Sequence, residues 1–463
     1  AGKSEAIKNI QTQSIGTLRP VPEESINFHT TENLIIEGEN LEVLKLLQKS
    51  YYGKVKVIYI DPPYNKKNDN EFIYPDNYQE GLEDYLRYTG QIDQNGVKLT
   101  TNTETSGRYH SKWLNMMYPR LFLARNLLKE DGVIFVSIDD DEVKNLRFIM
   151  DEIFGEECFL GTFIWKRRQN VDSRTKNGVS RDHEYVLCYG RNETCIRGDE
   201  KDLEKYSNPD NDPRGPWMSA DMTGLATKEQ RPNLHYDLTD PKTGITYPCP
   251  PTGWRYEKKR MMELIENNEI IFPKSPTGRP RRKKFLKDLK SEFTGFSTVL
   301  NTAFNTQGTR ELRDLFDGNE IFDFPKPVDF VKELIIQGIK GEKDAIILDF
   351  FAGSGTTAHA VLNLNHEENK NLKFILVQIP EKTKKNSTAN RLGFNTISEI
   401  TKERVRRVIN KLNQEGKSKL GLEEHKQDRG FKVFKLDSSN FKIWEGEIED
   451  ANKLKDQLEM FTD

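Results

Sequence analysis

The feature that most constrains this chain is the alternation of short apolar strands with helices in two separate parts of it. In the stretch NLIIEGENLEVLKLLQKSYYGKVKVIYID, a short apolar strand, a helix beginning near Asn40 and a strand from Val55 to Ile60 follow one another closely. A helix near Tyr118 to Lys129, the strand GVIFVSID and another amphipathic helix come next. Since parallel strands need a helical crossover between them, this alternation predicts an α/β fold with a mostly parallel sheet.

A second block of the same kind follows after a long irregular region. From Asp344 onward, AIILDFFAGSGTTAHAV and KFILVQIPE predict a strand, a glycine-rich turn, a helix and another strand. Residues 200–320 are rich in turn-forming residues and show no clean periodicity, which predicts an inserted region. The predicted division is an N-terminal arm (1–30), a first α/β half (31–199), the inserted region (200–320), a second α/β half (321–415) and a C-terminal extension (416–463).

Composition narrows the class of protein without identifying it. The chain has 463 residues, 35% of them hydrophobic, and a formal net charge of -3, as an ordinary water-soluble protein of two or three domains would have. No stretch approaches the roughly 20 apolar residues that a membrane span needs, and the N-terminus lacks a signal-peptide pattern, so a cytoplasmic location is predicted. The four cysteines form no CxxC pair, and neither a disulfide framework nor a metal site is predicted.

The glycine-rich turn is a candidate nucleotide site. Gly353, Gly355 and Ala358 form a GxGxxA pattern after a strand and before a helix, although packing of a tight turn explains such a pattern equally well. Asp349 ends the preceding strand, where it could accept a hydrogen bond from an ammonium group, and Glu381 follows the next strand, where a carboxylate typically holds ribose hydroxyls. A nucleotide-like cofactor with an amino-acid ammonium fits S-adenosylmethionine (SAM) better than NAD.

The tetrapeptide Asp61-Pro62-Pro63-Tyr64 directly follows the strand VKVIYI. A carboxylate beside a backbone carbonyl offers two acceptors to the exocyclic amino group of a nucleobase, whose lone pair is otherwise delocalised into the ring. The prolines restrict the turn, and Tyr64 offers a ring on which a base could stack. An isolated DPP is more often a simple turn. The end of an apolar strand in an α/β sheet, however, is where such folds place their ligands.

These motifs resemble those of amino-group DNA methyltransferases. DPPY and DFFAGSGTT are similar to the catalytic and SAM-binding motifs, and their order along the chain resembles the permuted β class. Longer stretches, among them HSKWLNMMYPRLFLARNLLKEDGVIFVSIDDDE, RDHEYVLCYGR, FDFPKPV and GFKVFKLDSSNFKIW, resemble the modification subunit of type III restriction-modification systems. The resemblance covers most of the chain outside residues 200–320.

The resemblance implies a Rossmann-like SAM-dependent methyltransferase fold with a mixed, mostly parallel sheet, circularly permuted and carrying an inserted target-recognition domain. Residues 31–199 would be the catalytic half and 321–415 the SAM-binding half. The implied reaction is methylation of N6 of a flipped adenine in double-stranded DNA. DPPY favours adenine N6 over cytosine N4, again by resemblance. A homodimer and a restriction subunit with helicase and endonuclease activities are the implied partners.

The resemblance also implies roles for individual residues. Asp61, Pro62, Pro63 and Tyr64 would hold the flipped adenine. The predicted cofactor-binding residues are Asp349, Phe350, Phe351, Gly353, Ser354, Gly355, Lys326, Glu381 and Glu39. Glu39 stands where related enzymes often carry Asp, so its role is the least defined of the set. Subunits of this kind are commonly longer than this chain, and Ala1 is not an initiator methionine, so missing and naturally short terminal segments are both open alternatives.

Two basic stretches are the predicted DNA contacts. Residues 274–290 hold eight Lys or Arg against one Asp, and residues 166–176 are similarly basic. A run of charge is more often a solvated face, but these runs lie beside the catalytic block and inside the irregular region. The predicted DNA-binding residues are Lys166, Arg167, Arg168, Arg174, Arg279, Arg281, Arg282, Lys283 and Lys284.

Three other functions compete with this interpretation. An NAD-dependent oxidoreductase would explain GxGxxA but neither DPPY nor the basic stretches. A non-catalytic, sequence-specific DNA-binding protein with a methyltransferase-like core would not need an intact DPPY. An N4-cytosine or RNA methyltransferase differs only in the nucleoside that it modifies. The sequence does not define the recognised DNA sequence, the number of strands methylated or the presence of a restriction partner.

Overall fold

In a computed structural model of the protein, the described residues are 2–12, 14, 16–65, 108–175, 177–418 and 427–438. They belong to two compact units. The larger unit contains Ala1–Arg197 and Phe296–Asp463, and the smaller unit contains Gly198–Gly295.

Strands and helices occur throughout the described parts of the chain. The strands are β1 (Gly16–Pro20), β2 (Leu34–Glu37), β3 (Val55–Ile60), β4 (Leu128–Ile138), β5 (Phe159–Lys166), β6 (His183–Gly190), β7 (Asp199–Glu200), β8 (Trp217–Ala220), β9 (Leu238–Thr239), β10 (Thr246–Tyr247), β11 (Ile270–Ile271), β12 (Arg281–Phe285), β13 (Phe293–Thr294), β14 (Val299–Leu300), β15 (Ile346–Asp349), β16 (Lys373–Gln378) and β17 (Lys432–Ser438). The helices are α1 (Gly2–Gln11), α2 (Asn40–Tyr51), α3 (Arg108–Leu127), α4 (Val143–Phe154), α5 (Lys258–Glu266), α6 (Asn305–Leu315), α7 (Val328–Ile339), α8 (Thr356–Glu368), α9 (Thr388–Arg391) and α10 (Ile397–Ser418).

Ten of the described strands form one sheet in the larger unit. Their order is β1-β17-β2-β16-β15-β3-β4-β6-β5-β14. The six strands from β17 to β4 run parallel to one another. β1 pairs antiparallel with β17, and β6 pairs antiparallel with both β4 and β5, whereas β14 pairs parallel with β5. The prediction of a Rossmann-like α/β fold with a mixed, mostly parallel sheet is therefore confirmed.

Both faces of the sheet are covered by helices. One hydrophobic cluster packs α7, α8 and α10 against one face, and a second packs α2, α3 and α4 against the other. The central strand β3 is consequently buried at all six positions, including Lys56. The Lys56 ammonium is compensated there by Asp131 and, at 2.5 Å, by Glu342.

The segments predicted as a terminal arm and a terminal extension are integral to this sheet. β1 lies within residues 1–30 and β17 within 416–463, and the two strands pair antiparallel. β17 also pairs with β2, the first strand of the predicted catalytic half. The predicted boundaries at 30 and 415 are therefore not boundaries between separate units, because backbone hydrogen bonds join these strands into one sheet.

The smaller unit also differs from its prediction at one end. It begins near the predicted residue 200 but ends at Gly295, not at residue 320. Residues 296–320 belong to the larger unit because β14 pairs with β5 there and Leu312 of α6 joins a cluster with α10. Within the smaller unit, β8, β11 and β12 form a three-stranded sheet, and α5 packs Met261 and Leu264 into its core.

One local prediction changes in detail. The helix predicted near residues 118–129 spans Arg108–Leu127, and the chain enters β4 at Leu128. The stretch HEYVLCYG forms β6 and is almost wholly buried because it lies between β4 and β5. Among the described residues, no helix combines the length and the apolar character that a membrane span requires.

A close approach of α7 to the sheet gives a first prediction. A Cβ added at Gly338 would lie 2.6 Å from Val57 Cγ2 and 2.9 Å from Val133 Cγ2. We expect Gly338→Ala to lower the free energy of unfolding by about 1–3 kcal/mol, because overpacking forces these neighbours to move. Urea unfolding measures this change. The same substitution at Gly295, where the added carbon would meet no atom within 4 Å, is the control. Equal stability of both variants would contradict the prediction.

Candidate active site

The two sequence motifs meet at one edge of the sheet. Asp61–Tyr64 follows β3, the glycine-rich turn follows β15, and these parallel strands are neighbours. Their carboxyl ends therefore lie side by side, where open α/β sheets bind ligands. A cavity of about 370 Å³ at this edge is lined by both motifs, with Arg167, Arg168, Glu184 and residues 322–326 completing much of its wall.

Asp61, Tyr64 and Lys326 form the polar centre of this cavity. The Lys326 ammonium donates to both carboxylate oxygens of Asp61 at 2.8 Å and to the Tyr64 hydroxyl at 2.8 Å. The Tyr64 hydroxyl also lies 2.8 Å from Asp61 Oδ1. Lys326 was predicted to bind the cofactor, and the structure instead bonds it to the predicted catalytic residues.

Glu184 completes the cluster and was missed by the sequence analysis. Its Oε2 lies 3.2 Å from Lys326 Nζ and 3.1 Å from the Tyr64 hydroxyl, and Oε1 is 3.6 Å from Arg167 Nε. Because β6 runs antiparallel to β4, the beginning of β6 lies at the same edge as the ends of the parallel strands. The signal in the sequence was a glutamate near the start of an apolar strand, adjacent to His183.

The electrostatics of the cluster follow from its burial. Burial alone would lower the pKa of Lys326, but the charges of Asp61 and Glu184 outweigh it and raise the pKa above its ordinary value. Burial, then the charges of Asp61 and Glu184, hold the pKa of Tyr64 well above its usual range. At neutral pH, Lys326 is therefore a cation and the Tyr64 hydroxyl is neutral.

The turn after β3 is supported on several sides. Trp113 Nε1 donates to the Pro63 carbonyl at 2.7 Å, and the buried carboxylate of Glu142 accepts from Asn65 Nδ2 at 2.6 Å. Within the part of the chain that the structure describes, no group donates to the Pro62 carbonyl. The turn is thus held rigidly while this acceptor is left available.

The glycine-rich turn needs its glycines for backbone reasons. Gly353 has φ +52° and Gly355 has φ +83°, a region that is costly for residues with a Cβ. Gly353 N–H donates to Gln378 Oε1 at 2.7 Å, and the Gly353 carbonyl accepts from Thr401 Oγ1 at 2.6 Å. β16 and α10 therefore hold the turn from both sides.

Asp349 lines the cavity and is buried. Its Oδ1 accepts from Phe351 N–H at 3.0 Å, and its Oδ2 accepts from Thr357 Oγ1 at 2.5 Å. Burial raises its pKa to about 7, although both hydrogen bonds act in the opposite direction. A nearby cation would strongly stabilise the ionised form of such a carboxyl group.

Glu381 is a buried carboxylate without compensation. It is 3% exposed, and neither of its oxygens has a hydrogen-bond partner among the described residues. Burial raises its pKa to about 8. Glu381 does not line the cavity shared by the two motifs, but it follows β16, whose Gln378 bonds to the glycine-rich turn. A buried acceptor without a partner destabilises the folded protein, which indicates a ligand that donates hydrogen bonds to it.

Arg404 is a second residue that the sequence analysis did not single out. It lies on α10, is fully buried, and donates to Ser354 Oγ and Thr356 Oγ1, each at 2.8 Å. Burial lowers its pKa to about 10. The only signal in the sequence was the basic helix TKERVRR, where burial of one particular arginine is not visible.

The remaining predicted cofactor residues lie near the turn. Phe351 lines the cavity, whereas Phe350 is buried and does not line it. Glu39 caps α2 by accepting from Glu42 N–H at 3.0 Å, and it forms an ion pair with Arg120. A contact of Glu39 with the cofactor stays a prediction.

The predicted DNA-binding residues separate into accessible and occupied side chains. Lys166, Arg174, Arg279, Arg281 and Lys284 are exposed. Arg167 and Arg168 are half-buried and line the cavity.

Two members of the basic run in the smaller unit are held by acidic residues. Arg282 is half-buried and donates to Glu269 at 2.9 Å. Lys283 is buried and bonds to Asp210 and, at 3.0 Å, to Asp212. Because Lys283 is buried against these two aspartates, its predicted contact with DNA is not supported.

The chain is similar to known proteins over most of its length. A family model described as DNA methylase matches residues 55–391, from the start of β3 to the end of α9. The chain belongs to the DNA methylase family. Both motifs and the whole smaller unit lie within the matched range.

Individual members of the family are similar over most of this chain. The Mod subunit of the type III restriction-modification enzyme StyLTI of Salmonella typhimurium is 37% identical over 443 residues, which cover 92% of this chain and 65% of that protein. The EcoP15I Mod subunit of Escherichia coli is 34% identical, covering 88% of this chain and 65% of that protein. The type II methyltransferase M.KpnI of Klebsiella pneumoniae is 30% identical, with 82% and 88% covered. The chain thus spans less than two thirds of the two type III relatives.

Proposed function

We propose that this protein transfers a methyl group from SAM to N6 of an adenine flipped out of double-stranded DNA. We further propose that it is the modification and sequence-recognition subunit of a type III restriction-modification system. The observation that carries the reaction is the shared cavity, in which Asp61 and Tyr64 face the glycine-rich turn and Asp349. Similarity to the named type III Mod subunits supports the choice of system.

The buried carboxylates fit the proposed cofactor. Asp349 would accept from the ammonium of SAM, whose charge would favour the ionised form of this buried acid. Glu381 would accept from the ribose hydroxyls, which would give its unpartnered oxygens hydrogen-bond donors. Gly353 and Phe351 would line the remainder of the cofactor site, and Gly355 would maintain the shape of the turn. SAM, when bound, supplies an electrophilic methyl group on a sulfonium, and its departing thioether is neutral.

The residues of the chain would act mainly by positioning the adenine amine. The Asp61 carboxylate and the Pro62 carbonyl would each accept one N–H, which localises the nitrogen lone pair towards the methyl group. Tyr64 would present its ring to the base, since stacking contributes about 1–3 kcal/mol per base and offsets part of the cost of flipping. The prolines and Trp113 keep these groups in place.

The smaller unit is proposed to recognise the target sequence. It carries the exposed Arg279, Arg281 and Lys284, which would contact phosphates while other side chains read bases. A restriction subunit is proposed as a partner from the names of the type III relatives. A homodimer stays a prediction of the family resemblance.

Expression in a host without DNA methylation, followed by modification-sensitive long-read sequencing, tests the proposal. We expect N6-methyladenine confined to one short motif, with one strand of an asymmetric motif modified. Detection of N4-methylcytosine in place of N6-methyladenine would show that the target base is cytosine and not adenine. Unmodified DNA from a folded, SAM-binding protein, also in the presence of a cognate restriction subunit, would overturn the catalytic assignment.

Salt dependence tests the DNA surface. We expect Arg281→Ala with Lys284→Ala to weaken binding of the target duplex and to reduce the slope of log K against log salt by about 0.9 for each phosphate that is no longer neutralised. Fluorescence anisotropy of a labelled target duplex measures K at NaCl concentrations from roughly 50 to 300 mM, and these values give the slope.

The control replaces an exposed arginine of the same unit. Arg260 on α5 pairs with Glu263, and Arg260→Ala should leave the slope unchanged. An unaltered slope in the Arg281/Lys284 variant would remove these residues from the interface. Arg282 is not suitable for this test, because its substitution would break the ion pair with Glu269 and is expected to destabilise the smaller unit.

A further inference from the structure

The Lys326 ammonium has an unusually complete set of partners. It donates to both oxygens of Asp61 and to the Tyr64 hydroxyl, and it forms an ion pair with Glu184 at 3.2 Å. It also lies 5.0 Å from the centroid of the Tyr64 ring and 5.9 Å from that of Trp165. The side chain is buried, so this cation is held by the protein and not by water.

The contacts distinguish the two oxygens of Asp61. Among the described residues, Oδ1 is contacted by both Lys326 and the Tyr64 hydroxyl, whereas Oδ2 is contacted by Lys326 alone. A carboxylate oxygen has two lone-pair directions. One of these directions is therefore still open on Oδ2, within the cavity that both motifs line.

Glu184 gives Lys326 a second anchor on another element. Asp61 follows β3, Glu184 lies on β6, and Lys326 precedes α7, so three separate elements converge on one ammonium. With Arg167 beside Glu184, two cations face two carboxylates. Removing Lys326 would leave Asp61 and Glu184 without their shared counter-charge, and like charges so placed repel.

We propose that Lys326, anchored by Glu184, is a positioning residue that orients Asp61 and Tyr64 and leaves Asp61 Oδ2 to accept the N–H of the target amine. This assignment rests on the proposed methyl transfer. It replaces the role in cofactor binding that the sequence alone predicted for Lys326. Glu184 acts through Lys326 and Tyr64 and does not itself touch the base.

Kinetics of Lys326→Met test the proposal. We expect the single-turnover methylation rate to fall about 10- to 100-fold, while the Kd for SAM and the KM for DNA change less than threefold. Lys326→Arg should recover part of the rate because it restores a buried cation. Lys332→Met is the matched control, since Lys332 also belongs to α7 but bonds outward to Glu367. A wild-type rate in Lys326→Met, or equal loss of SAM affinity and rate, would overturn the proposal.

A second measurement does not depend on turnover. In protein labelled with 13C at lysine Cε, the Lys326 resonance is identified by its absence from Lys326→Met. We expect the wild-type Lys326 ammonium to stay protonated to a higher pH than an ordinary lysine does. Its pKa should fall in Asp61→Asn and in Glu184→Gln, because the burial of the cation is then less compensated.

The two measurements separate the possible failures. A wild-type protein that methylates no DNA but shows the expected Lys326 titration would refute the proposed function and retain the pairing. Active wild-type protein whose Lys326 titration is unaffected by both acid substitutions would refute the positioning role. A destabilised Lys326→Met variant would be recognised by its melting temperature, and Glu184→Gln would then carry the rate test.

Discussion

Asp61→Asn is expected to lower the rate of methyl transfer about a thousandfold while SAM affinity stays within threefold of the wild type. The amide keeps the shape of the side chain but places a weaker, partly donating group opposite the amine, so that a charge-assisted interaction made at the reacting nitrogen is lost. Transfer of a radiolabelled methyl group in a single turnover measures the rate, and calorimetry measures SAM affinity.

The choice of asparagine limits the structural damage. Lys326 keeps Glu184 as a carboxylate partner in this variant, so its charge is not left wholly unpaired. Asp329→Asn, at an exposed position in the first turn of α7, is the matched control and should transfer at the wild-type rate. Full activity of Asp61→Asn would remove this residue from the chemistry.

Glu381→Gln is expected to weaken SAM binding about 100-fold. Hydrogen bonds to a charged, desolvated acceptor contribute about 1.5–3 kcal/mol, which corresponds to roughly 10- to 150-fold in affinity. Burial raises the pKa of Glu381 to about 8, and we expect SAM to bind its ionised form more tightly because that form is the stronger acceptor. Affinity of the wild type should therefore rise between pH 6 and 8, and calorimetry of the variant should show a weaker pH dependence.

The same substitution should have the opposite effect on the stability of the ligand-free protein. An unfolded glutamate ionises near pH 4.3, whereas folded Glu381 stays protonated up to about 8. Its folded pKa is raised, so the stability contribution present below the unfolded pKa is lost as the pH rises towards 8. We expect Glu381→Gln without SAM to melt a few degrees above the wild type at pH 8, with little difference at pH 5.

Differential scanning fluorimetry across this pH range measures the effect. Added SAM should reverse the order, since it stabilises the wild type and binds the variant poorly. Glu368→Gln is the control, because this carboxylate pairs with Lys370 at the surface. A variant that binds SAM normally, or one that is less stable than the wild type at pH 8, would show that Glu381 has another role.

The smaller unit illustrates why charge runs are hard to interpret from a sequence. Arg281 and Lys283 belong to the same run of cations, yet the first is exposed and the second is buried between two aspartates. Asp210 and Asp212 lie about seventy positions away in the chain, so nothing local to the run indicated this pairing. The exposed members could be predicted as a group but not one by one.

The sequence by itself determined the class of fold, the strands that carry the motifs, and the two motifs, because strand burial, turn chemistry and glycine conformation are local properties. Val55–Ile60, DPPY and Gly353–Gly355 all lie where local reasoning placed them. Only the tertiary structure decided that Lys326 and Glu184 meet Asp61, that Arg404 lies beneath the glycine-rich turn, and that β1 and β17 complete the sheet. These contacts join residues 50 to more than 400 positions apart, and their geometry is set by sheet order and helix packing, which no single segment encodes.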